Sequence, residues 1–260
     1  MRLGGAMDRR DQLLGFLEKN RILTIKQLAR DLHVSEMTIR RDVALLAKAS
    51  KVKTFYGGVS LNAGIDAPEK GNYRIDNELI RKTEIKKRIA QKAASLIEPH
   101  DVILIDTGST TSSIVDYIPE GSDHTVYCYA LNIINSVCEK EYLNVVACGG
   151  YYHKNTKMFE SEEGASLIKR ASINKAFMAA RGVTDFVGIT TAESYEINIK
   201  KAALSVSEQK ILLVDSSKFG KAWYAKYADL TEMDTIITDA GIKEAYKKMI
   251  LDKGINLIIV

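Results

Sequence analysis

The sequence predicts a two-domain α/β chain. A small N-terminal winged helix-turn-helix domain covers residues 7–61, a linker covers 62–76, and an α/β domain with a mostly parallel sheet covers 77–260. Three observations carry this. Two helical patterns, Thr24 to Leu32 and Ser35 to Leu46, are separated only by His33 and Val34, so the link is a tight turn. From Asp101 onward, β-like apolar runs alternate with helical segments, the pattern of a parallel sheet covered on both faces. Between the two regions, N-A-G-I-D-A-P-E-K-G-N-Y around Pro68 is rich in glycine, asparagine and charge, as linkers are. A length of 260 residues with 46% hydrophobic content is enough for both cores.

In chain order, Asp8 to Lys19 places Leu13, Leu14 and Leu17 on one helical face, with Phe16 beside them. Met7 reads as the natural beginning, and the preceding M-R-L-G-G-A lacks the apolar core of a signal peptide, so a cytoplasmic chain is expected. Thr24 and Gln27 form a capping box for the second helix. Ser35 is the N-cap of the third, whose residues Ile39, Val43 and Leu46, with Met37 nearby, form an inward stripe. The opposite face carries Thr38, Arg40 and Arg41, with Glu36 in the first turn. Such a helix fits the DNA major groove, where arginine pairs with guanine edges and phosphates take the remaining charge. The plainer alternative is a surface helix with two solvated arginines. Its neighbourhood favours the first reading: Lys51 to Leu61 is a β-prone run broken at Gly57 and Gly58, as a wing would be, with Lys53 and Tyr56 able to meet phosphates. Residues 7–61 hold eleven cations against six anions, a net of +5, while the chain beyond is slightly acidic. The polyanion is therefore expected to meet the small domain.

In the larger domain, Ile85, Ile89, Ala93 and Leu96 mark a helix that ends before Pro99. Strands are expected at 101–106, 125–130, 144–148, 175–179, 210–215, 234–239 and 256–260, with helices near 132–139, 161–170, 194–207 and 242–252. Ligands of open parallel sheets collect at the carboxyl ends of the strands. Asp106 ends the first strand, and Thr107-Gly108-Ser109-Thr110-Thr111 turns into a helix, offering amides and hydroxyls to a phosphate or another small anion. Asp106, itself anionic, suits sugar hydroxyls. Other strand ends carry Asn132, Gly149-Gly150, Arg181-Gly182 and D-S-S-K-F-G (215–220), where Lys218 is the natural second charge for a phosphate.

The sequence also excludes classes. Cys128, Cys138 and Cys148 fit neither a disulfide framework nor a zinc site, and His33, His100, His124 and His153 are scattered. No metal, cofactor or catalytic motif is indicated, and no apolar run approaches the roughly 18 residues of a membrane helix.

V-S-E-M-T-I-R-R-D followed by a Gly-Gly turn resembles the N-terminal domain of the DeoR family of bacterial sugar-metabolism repressors, with Thr54 and Tyr56 where that family usually has arginine and histidine. The larger domain is similar to the same family's sensor domain through Lys86, the D-x-G-[ST]-T-T loop at 106–111, Asn132, Gly149, F-M-A-A-R-G-V-T, Glu196 with Lys200, and D-S-S-K-F-G. Arg181 stands where many relatives carry a small residue. The resemblance implies a fold akin to ribose-phosphate isomerase and coenzyme A transferases, and a site for a phosphorylated sugar or related metabolite that includes Glu196. One small reading head binds weakly, so a dimer or tetramer on double-stranded operator DNA is expected, with no membrane partner. Two rival classes follow from the same residues: a sugar-phosphate isomerase-like enzyme with an accessory DNA-binding domain, using Asp106, Glu196 and Lys218, and a non-specific architectural DNA binder.

Overall fold

The computed structural model describes residues 4–20, 22–55, 58–61, 74–80, 83–121, 123–223 and 225–260. Tyr56, Gly57 and residues 62–73 of the expected linker lie outside them. The N-terminal domain consists of α1 (Gly4–Asn20), β1 (Ile22–Leu23), α2 (Ile25–Asp31), α3 (Glu36–Lys48), β2 (Val52–Phe55) and β3 (Gly58–Leu61). Thr24 and Gln27 complete the capping box of α2. The link to α3 is short because His33 adopts a left-handed φ of 52°, a conformation few side chains enter without a tight turn to require it. Leu13, Leu17, Leu28 and Ile39 are sealed from solvent, with Val43, Leu46, Val52 and Val59 packed around them. The two-residue β1 pairs with β3 and makes the wing a three-stranded sheet, a strand too short for the sequence pattern to show.

The larger domain opens with α4 (Ile75–Ile80) and α5 (Thr83–Ala94). The seven-stranded sheet is built from β4 (Val102–Ile105), β5 (His124–Cys128), β6 (Leu143–Ala147), β9 (Ile173–Ala179), β12 (Ser207–Leu213), β14 (Thr235–Thr238) and β15 (Asn256–Ile259). Between them lie α6 (Leu131–Cys138), α7 (Glu162–Lys169), α8 (Glu196–Val206) and α9 (Glu244–Leu251). A hairpin of β7 (Tyr151–His153) and β8 (Met158–Glu160) follows β6, and β10 (Gly182–Thr184), β11 (Gly188–Thr191) and β13 (Ala225–Ala228) form a small antiparallel sheet. The main sheet is parallel throughout, in the order β15-β14-β12-β9-β4-β5-β6.

Successive residues of one strand serve opposite faces. Ile103 and Ile105 pack with Val126, Phe177 and Leu213 beneath α5 and α6, whereas Leu104 packs with Ala176, Met178 and Leu212 beneath α7 and α8. The chain runs outward from β4 to β6, then returns to β9 beside β4 and runs outward the other way to β15. The strand order therefore reverses between β4 and β9, the point at which open α/β sheets leave a crevice.

Two expectations are corrected. The helix begins at Ile75, inside the stretch expected as linker, because Ile75 is buried and its amide donates to the Asn155 carbonyl at 2.8 Å. Leu96 lies beyond α5, which ends at Ala94, and there it is Ile97, not Leu96, that is buried. The turn after Asp106 opens into a helix as expected, a 3₁₀ helix over Thr111–Tyr117.

Candidate functional site

The crevice at the β4/β9 reversal is lined by Thr107 to Thr110, Ala179 to Arg181, Thr191, Glu196, Lys200, Asp215 and Lys218, together with Glu78 and Thr156. Gly108 lets its two walls approach, since a Cβ there would stand 2.6 Å from Ala179 Cβ and 2.8 Å from Thr111 Oγ1. Beneath lies a buried ionic network. Asp106 is wholly enclosed: Oδ1 accepts from the Tyr129 hydroxyl, and Oδ2 accepts from the Ala179 amide at 2.8 Å and Lys200 Nζ at 2.5 Å. Lys200, equally buried, also faces Glu196 at 3.5 Å and lies over the Tyr227 ring. Burial, reinforced by Asp106, pushes the Tyr129 hydroxyl well up, and burial raises Glu196. Deep in the crevice this network is self-satisfied.

Nearer the mouth, two cations converge on one carboxylate. Glu78 Oε2, from α4, accepts from Arg181 at 2.8 Å and from Lys218 at 3.0 Å. Arg181 also lies over the Trp223 ring, 4.4 Å from its centroid. Lys86 reaches up from α5 and donates to the Glu78 carbonyl. Burial pushes Lys218 down and lowers Lys86 to about 8. Burial alone would raise Glu78, but Lys218 and Arg181 overcome it and hold the carboxyl at about 2.

This sets a sign for stability against pH. Glu78 is lowered on folding, so its contribution is present above the ordinary value of 4.5 and is lost as pH falls towards 2. Glu78 and the neighbouring Asp215 are the carboxyls facing Lys86 and Lys218. Urea unfolding of wild type and Glu78→Gln should differ by a constant amount between about pH 5 and 7, and the gap should close progressively below about pH 4.5. A gap that widens on acidification would assign the carboxylate the wrong sign.

The sequence-predicted residues divide. Gly108, Ser109, Thr110, Arg181, Glu196 and Lys218 line the crevice. Asp106 does not: with its oxygens occupied it orders the site from below and is closed to sugar hydroxyls. Thr111 turns inward, its hydroxyl donating to the carbonyls of Asp106 and Gly108 as a staple of the loop. Asn132, Gly149 and Gly150 follow β5 and β6, one and two strands from the reversal, and are not brought to the crevice. Asn132 Oδ1 is buried with no hydrogen-bond partner among the described residues. Gly150, at φ 146°, packs against the Glu160 backbone, where a side chain would collide. The sequence reading missed Glu78, Thr156 and Thr191. Their cues were absent locally, since an acidic helix residue and two threonines are ordinary until the fold collects them.

On the N-terminal domain, α3 presents Arg40 and Arg41 outward, while Asp42 turns inward and takes Arg9 of α1 at 2.6 Å. The R-R-D triplet thus splits into two exposed cations and one fastening to the first helix. Ser35 caps α3 by accepting from the Thr38 amide at 3.2 Å, and the two hydroxyls lie 2.9 Å apart. Glu36 faces Arg40 at 3.7 Å on the exposed surface. Met37 does not join the inward stripe; it is 61% exposed and shares the outer face with the arginines. Lys53 lies half-buried on β2 opposite Ser60, and Tyr56 is outside the described residues.

A winged helix with an exposed arginine face, followed by a parallel-sheet domain with a charged crevice at its strand ends, defines a DNA-binding regulator that responds to a small molecule. Residues 9–64 match the family model described as the DeoR-like helix-turn-helix domain, and residues 81–240 match the DeoR C terminal sensor domain. The chain belongs to the DeoR family of transcriptional regulators. It is similar to the deoxyribose operon repressor of Escherichia coli, 32% identical over 251 residues, which cover 96% of this chain and 97% of that one. It is also similar to the HTH-type transcriptional regulator IolR of Bacillus subtilis, 31% identical over 225 residues, 86% and 87% of the two chains. Among solved structures, ribose 5 phosphate isomerase A from Neisseria gonorrhoeae matches with a TM-score of 0.39 and 18% identity, covering 52% of this chain and 53% of that one. No helix among the described residues is long and apolar enough to cross a membrane.

Proposed function

We propose that the protein represses genes of carbohydrate metabolism, and that a phosphorylated sugar in the β4/β9 crevice controls its hold on operator DNA. The observation that carries this is the convergence of Lys218 and Arg181 on a single oxyanion at the crevice mouth, beside the amides and hydroxyls of Gly108 to Thr110. Two cations in a half-buried site suit a phosphate, since charge-assisted hydrogen bonds are roughly twice as strong as neutral ones. The crevice threonines are left to the hydroxyls of the sugar, with Glu196 held beneath them against Lys200. Control requires that the effector bind the DNA-competent and DNA-released states with different affinity. One small reading head binds weakly, so two copies on paired half-sites are expected, in a dimer or tetramer acting in the cytoplasm. The enzyme alternative loses its acid, because Asp106 is sealed below the crevice with both oxygens engaged.

The test is calorimetric titration of wild type and Lys218→Ala with a panel of sugar phosphates. The phosphate that binds wild type should bind Lys218→Ala about 10–100-fold more weakly, the loss of one charged hydrogen bond of about 1.5–3 kcal/mol. Operator affinity without effector should be unchanged, so the variant represses without induction. Equal affinity in both proteins would remove Lys218 from the site.

A further inference from the structure

Glu78 stands where the proposed phosphate would stand. Its carboxylate takes both mouth cations, at 2.8 and 3.0 Å, and the cavity left around it is about 30 Å³. That volume holds a water or two and no sugar phosphate. Something must move for an effector to enter, and the walls offer little freedom. Thr107 donates to the Thr156 carbonyl, the Thr107–Thr111 turn is stapled by Thr111, and the floor is the Asp106–Lys200 pair.

The element that can move is α4. It is six residues long and is held by a few polar contacts: the Ile75 amide on the Asn155 carbonyl, Asp76 on Lys157 at 2.5 Å, Lys86 on the Glu78 carbonyl, and the Glu78 carboxylate itself. Only Ile75 and Glu78 of the helix are buried, and Ile80 at its end is 80% exposed. Residues 62–73 connect this helix to the wing strand β3, so it is the first described segment of the sensor domain reached from the reading head.

We infer that Glu78 is a built-in carboxylate occupant of the effector site, and that an anionic effector takes Lys218 and Arg181 from it and frees α4, the segment leading to the DNA-binding domain. The inference rests on the reading of the crevice as a phosphate site. The exchange conserves charge pairing: the cations keep an anionic partner, while Glu78 moves to water, where a carboxylate is well solvated. A phosphate with three acceptor oxygens can engage Lys218, Arg181 and the Gly108 to Thr110 amides together, which one carboxylate on a helix cannot. Effector binding thereby gains at the site and loses at α4, which is the differential interaction that a two-state control needs.

Inorganic phosphate is the probe, titrated into the full chain as wild type, Glu78→Gln and Lys218→Ala, with amide hydrogen exchange followed over residues 74–80. Glutamine fills the same space without the competing charge. Phosphate should bind Glu78→Gln at least tenfold more tightly than wild type and should bind Lys218→Ala weakest. It should accelerate exchange over 74–80 in wild type, and Glu78→Gln should exchange fast there before any phosphate is added. If phosphate binds wild type and Glu78→Gln equally, with exchange at 74–80 unmoved, Glu78 is not the competitor although the anion site stands. Weaker binding to Glu78→Gln would make Glu78 a ligand of the effector instead. If phosphate binds neither protein, both the competition and the phosphate reading fail.

Discussion

Lys200→Met should destabilise the sensor domain by about 3–5 kcal/mol, the usual cost of removing one partner from a buried ion pair. Lys200 and Asp106 are 1% and 0% exposed and 2.5 Å apart, and Glu196 lies 3.5 Å from the same ammonium. Removing the lysine leaves two buried carboxylates facing each other with no cation between them. Against a total stability of about 5–15 kcal/mol, this is enough to unfold a large fraction of the chain on modest heating. The single tryptophan, Trp223, is buried beside Arg181, so urea unfolding followed by its fluorescence reports on this domain. Asp106→Asn combined with Lys200→Met should recover part of the loss, because the amide side chain keeps an acceptor and discards the charge. A cost below about 1 kcal/mol for Lys200→Met would mean that solvent already reaches the pair.

The second large effect belongs to the reading helix. The double variant Arg40→Ala with Arg41→Ala should weaken operator binding by at least about 2 kcal/mol, roughly 30-fold. Arg40 is available for DNA, since its partner Glu36 is 3.7 Å away on an exposed face and such i,i+4 pairs are worth only about 0.3–0.5 kcal/mol. The single variants separate the roles. Whichever arginine reads a base should relax sequence preference at one position, and whichever meets phosphate should weaken all duplexes alike and lower the salt slope by about one. The fold should survive both changes, because the core residues Ile39, Val43 and Leu46 and the Asp42–Arg9 contact are untouched. Wild-type affinity in the double variant would remove α3 as the recognition element.

How far the structure could be read in advance follows from where the signals lie. All seven strands of the main sheet were legible, because runs such as V-I-L-I and K-I-L-L-V are buried on both faces and end at Asp, Gly or Ser. The three- and four-residue strands of the hairpin and the small sheet were not, since at that length Y-Y-H and G-V-T carry no period. At the site, the strand-end rule reached the loops after β4, β9 and β12, which line the crevice, and also those after β5 and β6, which do not. Asn132 and Gly149 sit at strand ends as Arg181 does, and only the order of pairing shows that the crevice lies between β4 and β9. The chemistry of Asp106 was misread for a related reason. A carboxylate at a strand end looks available until Tyr129, Ala179 and Lys200, from three other parts of the chain, close over it. Glu78 was invisible because its cations lie more than 100 residues away in sequence.

Control of DNA affinity by a phosphorylated metabolite in the β4/β9 crevice is the proposal on which the regulator's function turns. Its most direct test begins with operator duplexes selected from a random pool by the protein itself. Binding of wild type and Lys218→Ala to the selected duplex is then measured with and without each of a panel of sugar phosphates and their unphosphorylated parents. One phosphorylated sugar should weaken wild-type binding at least tenfold, its unphosphorylated parent should leave it unchanged, and Lys218→Ala should bind the duplex normally and ignore both. A response to the unphosphorylated parent that is equal in wild type and Lys218→Ala would contradict the account.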